Sequence, residues 1–340
     1  MKGCQIILDH VNDRQAAALM VDGKLSDFLI DGDAPRPGTI YRAIADRPVK
    51  GQGGMFLQTP DGSAFLRQVK GLSPGQALLV QVTGYAEEGK AIPVTSRVLF
   101  KSRYAIVTPD APGLNVSRSI RDEDTRDALK GIAHEVMREN GMGLILRSSC
   151  AEAEPADIAD DIATMQDLAE AILADNNGGA EMLVEGDGPH LVAWREWTVP
   201  AEVVTRDTGF EDLGVLDALD ELKFAKVVLG GGAFMFVEST RALVAVDVNT
   251  GSDTSPAAAL RANLAAAKDL PRQCRIRGIG GQITLDLAPM PKKDRRAFEN
   301  AIKAALRADG IETVVAGWTP LGHYELQRKR ERLPVAALLS

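Results

Sequence analysis

Two short apolar runs, ALVAVDV (242–248) and GQITLDL (281–287), each carry one aspartate near their end, Asp247 and Asp286. Between them lies a stretch with Ala257, Leu260, Leu264, Ala267 and Leu270 at near-helical spacing, read as a helix from about Pro256 to Arg275. Strands alternating with helices predict an α/β sheet. Three neighbours extend the pattern: AFMFVES (233–239), hairpin-linked through Thr240-Arg241; an amphipathic helix over 292–308 with Phe298, Ile302 and Leu306 inward and Lys293, Arg296, Lys303 and Arg307 outward; and the strand ETVVAGW (312–318).

A carboxylate at the carboxyl end of such a strand lies where α/β folds place ligands. If the two strands are neighbours, the aspartates converge across about 5 Å. Two anions that close call for a cation between them, and oxygen donors with no His or Cys nearby select Mg²⁺ or Mn²⁺. Asn249 shares the face of Asp247 and could orient Asp286 or a metal-bound water. The competing reading makes each Asp a helix cap, although Asp253 or Thr254 is better placed to cap the helix at Pro256.

Upstream, CQIILDH, RQAAALMV and KLSDFLI (within 4–30) read as strands, the last two joined at Asp22-Gly23, a hairpin signal. GDAPRPG (32–38) marks a linker. Five short runs follow up to Val98 (TIYRAIA, GGMFLQT, SAFLRQV, QALLVQVTGY, KAIPVTSRV) and suggest a small barrel such as an OB-fold. A helix from near Arg121 to Asn140-Gly141, a strand GLILRSS (143–149) and an acidic helix over 156–174 come next. Residues 191–197 and 201–205 read as further short strands. The glycine clusters at 230–232 and 280–281 precede strands and are tight turns, not phosphate loops.

The net charge of −8 argues against a nucleic-acid partner until its distribution is seen. Residues 241–340 hold 16 Lys/Arg against 10 Asp/Glu, leaving an acidic remainder, so a basic working surface on an acidic body competes with a merely solvated helix face. No stretch suits a membrane span, and the amino-terminal residues turn polar too soon for a signal peptide. Three scattered cysteines (Cys4, Cys150, Cys274) predict reduced thiols in a cytoplasmic protein with no zinc motif. The four histidines show no catalytic grouping and read as structural.

The runs ALVAVDVNTGSDT, NLAAAKDLPRQCRIRGIGGQITLDLAPM, RAFENAIKAALRADG and LGHYELQRKR, in this order, resemble the catalytic domain of the bacterial ribonuclease E/G family. GTIYRAIA, GGMFLQTPDGSAFL and GMGLILRSS resemble its OB-fold and its sensor of RNA 5′ ends. The resemblance implies an RNase H-like region (1–36 and 191–228) with an OB-fold (37–100) and a 5′-sensor (101–190) inserted, then a DNase I-like catalytic domain (229–340). It implies a Mg²⁺-dependent, single-strand-specific endoribonuclease leaving 5′-phosphate and 3′-hydroxyl ends, with Asp247 and Asp286 on the metal and Asn249 positioning one of them. Phe56 and Phe65 match base-stacking aromatics, Lys90 a backbone contact, and Arg147 with Ser148 the grip on a 5′-monophosphate. Core packing is the alternative for the two phenylalanines, and an ion pair to the acidic helix at Asp157–Asp161 for Arg147. Arg272, Arg275, Lys293, Arg296 and Arg328 are expected to track the RNA backbone.

The chain departs from the family's pattern in several places. It ends at RLPVAALLS without the C-P-x-C zinc link, so no zinc-linked tetramer is expected and a homodimer stays open. Pro289 stands where a further Asp is common, Pro320-Leu321 replaces an Arg-Phe ahead of Gly322, and the sensor-to-catalytic connection is short. Rival readings are a non-catalytic RNA-binding paralogue and a phosphatase or DNase using the same carboxylates.

Overall fold

The computed structural model describes residues 3–49, 53–69, 71–138 and 140–339. The chain divides into two compact units, one formed by 1–32 with 199–340 and the other by 33–198. The boundary after Gly32 falls in the Pro/Gly stretch that marked a linker.

In the first unit, Cys4–Val11, Arg14–Val21 and Lys24–Ile30 form successive hairpins, and Glu202–Val204 joins in parallel on the outer edge of Cys4–Val11. Asp22 and Gly23 both take positive φ, 51° and 77°, as the tight two-residue turn requires. The second sheet has the strand order Lys226–Gly230, Ala233–Ser239, Val244–Asn249, Gly281–Asp286, Tyr324–Arg328, Thr313–Trp318. Only Val244–Asn249 and Gly281–Asp286 run parallel, because the helix Pro256–Arg277 crosses between them. Tyr324–Arg328, not read as a strand from sequence, inserts between Gly281–Asp286 and Thr313–Trp318.

Helices Pro256–Arg277 and Lys292–Ala308 cover one face of this sheet. Val244, Val246, Val248, Ile283, Leu285, Tyr324 and Leu326 point into their core with Ala262, Ala266, Leu270, Phe298 and Ile302. The long helix is capped by Ser255, whose Oγ accepts from the Ala258 amide, in place of Asp253 or Thr254. It ends at Gly278 with φ +66°, where an added Cβ would stand 1.7 Å from the Leu333 carbonyl.

A buried charge cluster ties this helix to both sheets. Asp309, at the end of Lys292–Ala308, has a side chain 0% exposed and takes both Arg275 and Arg328, the latter at 2.6 Å. Arg275 also donates to the Ser26 carbonyl at 3.1 Å and approaches Asp27, which Arg332 meets at 3.3 Å. Arg272 donates to the Leu25 carbonyl and to Asp269. Three of the five residues expected to track RNA therefore hold the fold instead, while Lys293 and Arg296 are exposed.

In the second unit, Ile40–Val49, Gly54–Thr59, Gly62–Leu66, Ile92–Thr95 and Ala77–Val82 pair in that order. Ile40–Val49 also pairs with Ala77–Val82, closing a five-stranded barrel compatible with an OB-fold. Glu181–Val184 adds to its rim. A second sheet (Phe100–Lys101, Ala105–Thr108, Gly113–Val116, Gly143–Leu146) packs with helices Glu123–Val136 and Pro155–Ala174. The segment 191–197 is no strand: 191–196 lie in the helix Pro189–Glu196 and Trp197 caps its end, with Pro189 in the first turn, where a missing amide costs nothing. A short apolar run does not distinguish the two by periodicity.

Replacing Asp309 by Ala leaves the buried Arg328 without its anion and the partly buried Arg275 with only the more distant Asp27. We expect a loss of about 3–5 kcal/mol, read as a lower midpoint in urea unfolding.

Candidate active site

The helix-free face of the six-stranded sheet carries the two aspartates. Alternation along each strand sends Val246 and Val248 to the core and Asp247 outward, and does the same for Leu285 and Asp286. Asp247 and Asp286 are direct register partners in the parallel pair, so both carboxylates leave the same face one strand apart. Both are exposed, the Asp286 side chain by 70%.

Asn249 Nδ2 donates to Asp247 Oδ2 at 2.9 Å, so the asparagine orients Asp247 and not Asp286. Asn263, buried inside the long helix, grips the backbone of Ala288 both ways: its Nδ2 donates to the Ala288 carbonyl at 2.9 Å, and its Oδ1 accepts from the Ala288 amide at 3.0 Å. That clamp sets the chain just beyond Asp286. Sequence reasoning missed it, although a lone Asn among alanines in a helix core is a legible signal. His323 Nε2 lies 3.9 Å from Asp286 Oδ1, so one histidine read as structural stands beside the pair.

The donor set suits a hard dication. Two carboxylates on adjacent strands match the way Mg²⁺ is held, by one or two protein oxygens with water completing the shell. Among the described residues no group of three or more His, Cys, Asp or Glu is arranged to hold a metal, so an ion here would take two protein carboxylates at most. Thr284, two residues before Asp286 on the same face, has a buried hydroxyl with no hydrogen-bond partner among the described residues.

The other expected site residues lie in the second unit. Phe56 and Phe65 face each other across paired strands, with ring centres 5.3 Å apart and Arg47 5.1 Å over Phe56. Both are half-buried and point away from the barrel core of Leu57, Ala64 and Leu66. Lys90 lies on the loop before Ile92–Thr95 and pairs with Glu87. Arg147 makes no bond to the acidic helix. It donates to the Ser102 carbonyl and to Glu196 Oε2, each at 2.6 Å, and Ser148 beside it is exposed.

Glu196 also takes Lys101 at 2.7 Å and Arg195 at 2.8 Å. Burial opposes its charge, but the three cations outweigh that and hold its carboxyl at about 2. At Lys101 the balance reverses: burial lowers the ammonium below its ordinary value, Glu196 only partly restores it, and repulsion from Arg147 and Arg195 lowers it further.

A model described as "Ribonuclease E/G family" matches residues 100–194 and 195–331. The chain belongs to the ribonuclease E/G family. Ribonuclease E of Synechocystis is 26% identical over 376 residues, covering 93% of this chain and 56% of the relative. Ribonuclease G of Escherichia coli K12 is 26% identical over 405 residues, covering 98% and 81%. A ribonuclease E/G-like protein of Pyropia yezoensis is 24% identical over 306 residues, covering 78% and 60%. The chain thus spans little more than half the length of its ribonuclease E relatives. Among the described residues no helix is long and apolar enough to cross a membrane.

The Glu196 cluster titrates with a definite sign. A carboxyl depressed below its ordinary 4.5 stabilises the fold above that value, and the contribution fades as pH falls towards about 2. We expect the urea midpoint to drop across that window, and the Glu196→Gln chain to show a shallower drop.

Proposed function

We propose that this chain is a Mg²⁺-dependent endoribonuclease acting on single-stranded RNA in the cytoplasm. One observation carries the reading: in a member of this family, Asp247 and Asp286 stand as register partners on an open sheet face, with Asn249 bonded to the first. Free cysteines, two of them buried, fit a reducing compartment.

Asp247 and Asp286 would hold the ion, with Mn²⁺ as the alternative. Bound there, it supplies Lewis-acid activation of water and charge stabilisation at the phosphate. Asn249 fixes the rotamer of Asp247 so that one oxygen stays committed to the amide and the other faces the site. Asp286 is held by its strand and by the Asn263 clamp on Ala288. Water oxygen bonds to phosphorus, the bond to the 3′-oxygen breaks, and that oxygen takes a proton, leaving 5′-phosphate and 3′-hydroxyl ends. His323 is the side chain beside Asp286 that can orient a water or a phosphate oxygen.

In this reading 229–340 is a DNase I-like catalytic domain, and 1–36 with 191–228 an RNase H-like support. Residues 37–100 hold RNA by stacking on Phe56 and Phe65, with Lys90 on the backbone, and 101–190 read the 5′ end. Arg147 and Ser148 would meet a 5′-phosphate, for which the Glu196 carboxylate is a resident competitor.

The test is cleavage of a 5′-monophosphorylated, AU-rich RNA oligonucleotide in Mg²⁺, followed on a gel. We expect Asp247→Asn to abolish cleavage. RNA binding without cleavage by the native chain would establish a non-catalytic RNA-binding paralogue instead, and preference for DNA would contradict the reading. Asn249→Ala keeps both ligands and loosens one; we expect activity about 10–100-fold lower, partly recovered at raised Mg²⁺.

A further inference from the structure

The row of side chains crossing the open sheet face continues beyond the carboxylates. Register places Lys226 opposite Phe236, Phe236 opposite Asp247, and Asp247 opposite Asp286. A cation, an aromatic ring and two carboxylates therefore stand in line on four adjacent strands. The neighbouring row holds Val228, Phe234 and Asn249. The Phe234 and Phe236 rings meet edge to face with centres 5.6 Å apart, and Lys226 Nζ lies 4.3 Å from the Phe234 centre.

Core packing does not account for these rings. Their strand buries Ala233, Met235 and Val237 against the helices, and the phenylalanines point the other way, half-buried, beside a Val228 that is 77% exposed. Two aromatic rings on a solvent-side face, next to a carboxylate pair, offer π surface where a ligand would sit.

We propose that Phe234 and Phe236 form a stacking platform for the nucleobase adjoining the phosphate held at Asp247 and Asp286, with Lys226 on the next phosphate. The proposal rests on the ribonuclease reading of this site. Strand spacing sets the scale: Phe236 lies one strand from Asp247, about 5 Å, and Lys226 two, about 10 Å. One extended nucleotide bridges that span. Stacking accepts any base, since each has a π face, and it needs an unpaired base, because a duplex already covers both faces. The ammonium beyond the rings supplies the attraction for a phosphate that the acidic pair lacks. The platform thus selects single strands at the point of cleavage without reading sequence.

The test uses the full chain and Leu substitutions, which keep apolar bulk and remove the ring. KM for cleavage of a single-stranded RNA is measured for Phe234→Leu/Phe236→Leu. Its Kd is measured by fluorescence anisotropy in an Asp247→Asn background with and without the same changes. We expect both constants to rise about 10- to 100-fold, with kcat changing less, and Phe236→Trp to restore them. In a series of oligonucleotides carrying one abasic position each, one position should weaken the aromatic chain and leave the Leu chain unaffected. If the native chain cleaves RNA and the Leu changes move neither constant, the platform is refuted and the nuclease reading stands. If the native chain cleaves nothing but Kd still depends on the rings, the platform stands and the nuclease reading falls. If there is neither cleavage nor ring dependence, both fall.

Discussion

Val244–Asn249 and Gly281–Asp286 pair in parallel with one register, and the rest of the proposed site follows from it. Parallel neighbours need a crossover, supplied here by the long helix, which then lies on the face where Val244, Val246, Val248, Ile283 and Leu285 must be buried. The side-chain period of a strand is two, so slipping either strand by one residue would send an aspartate into that core and a valine or leucine into water. Burial of the apolar set thereby fixes the face on which both carboxylates stand, and the observed register makes them partners. The alanines of the helix (Ala262, Ala266, Ala267) keep its surface small against the sheet, and Asn263 uses one position of that interface to pin Ala288 beyond Asp286.

The same residue types meet opposite fates according to their surroundings. Asp309 is enclosed and engages Arg275 and Arg328, so its charge is spent on joining a helix end to a sheet strand. Asp247 and Asp286 are left in contact with solvent, with a single amide on one of them, which is why we assign the proposed cation to them. In the second unit Glu196 gathers three cations that would otherwise present a strongly basic spot. Counting Lys and Arg along the chain therefore overstated the basic working surface: several of those charges are internal counter-ions.

Much of this was legible in the residues. Short apolar runs located the strands bearing Asp247 and Asp286, Asp22-Gly23 marked its hairpin, and the 3.6-residue period over 292–308 matched the helix Lys292–Ala308. Elements whose pattern is short or mixed were not legible. In Pro189–Glu196 a few apolar residues fit either period, and Tyr324–Arg328 alternates over only five residues, with Glu325 and Gln327 on the open side, too short a run to stand out among its charged neighbours.

By itself the sequence determined that apolar strands carry Asp247 and Asp286 with a helix between them, and that a second amphipathic helix spans 292–308, since those features rest on local periodicity and turn residues. Only the tertiary structure decided which strands are neighbours, and hence that Asp247 stands between Asp286 and Phe236, that Asn249 serves Asp247, and that His323 comes within reach. Register between distant segments is set by burial of a shared face and by the crossover that covers it, and no window of sequence contains both.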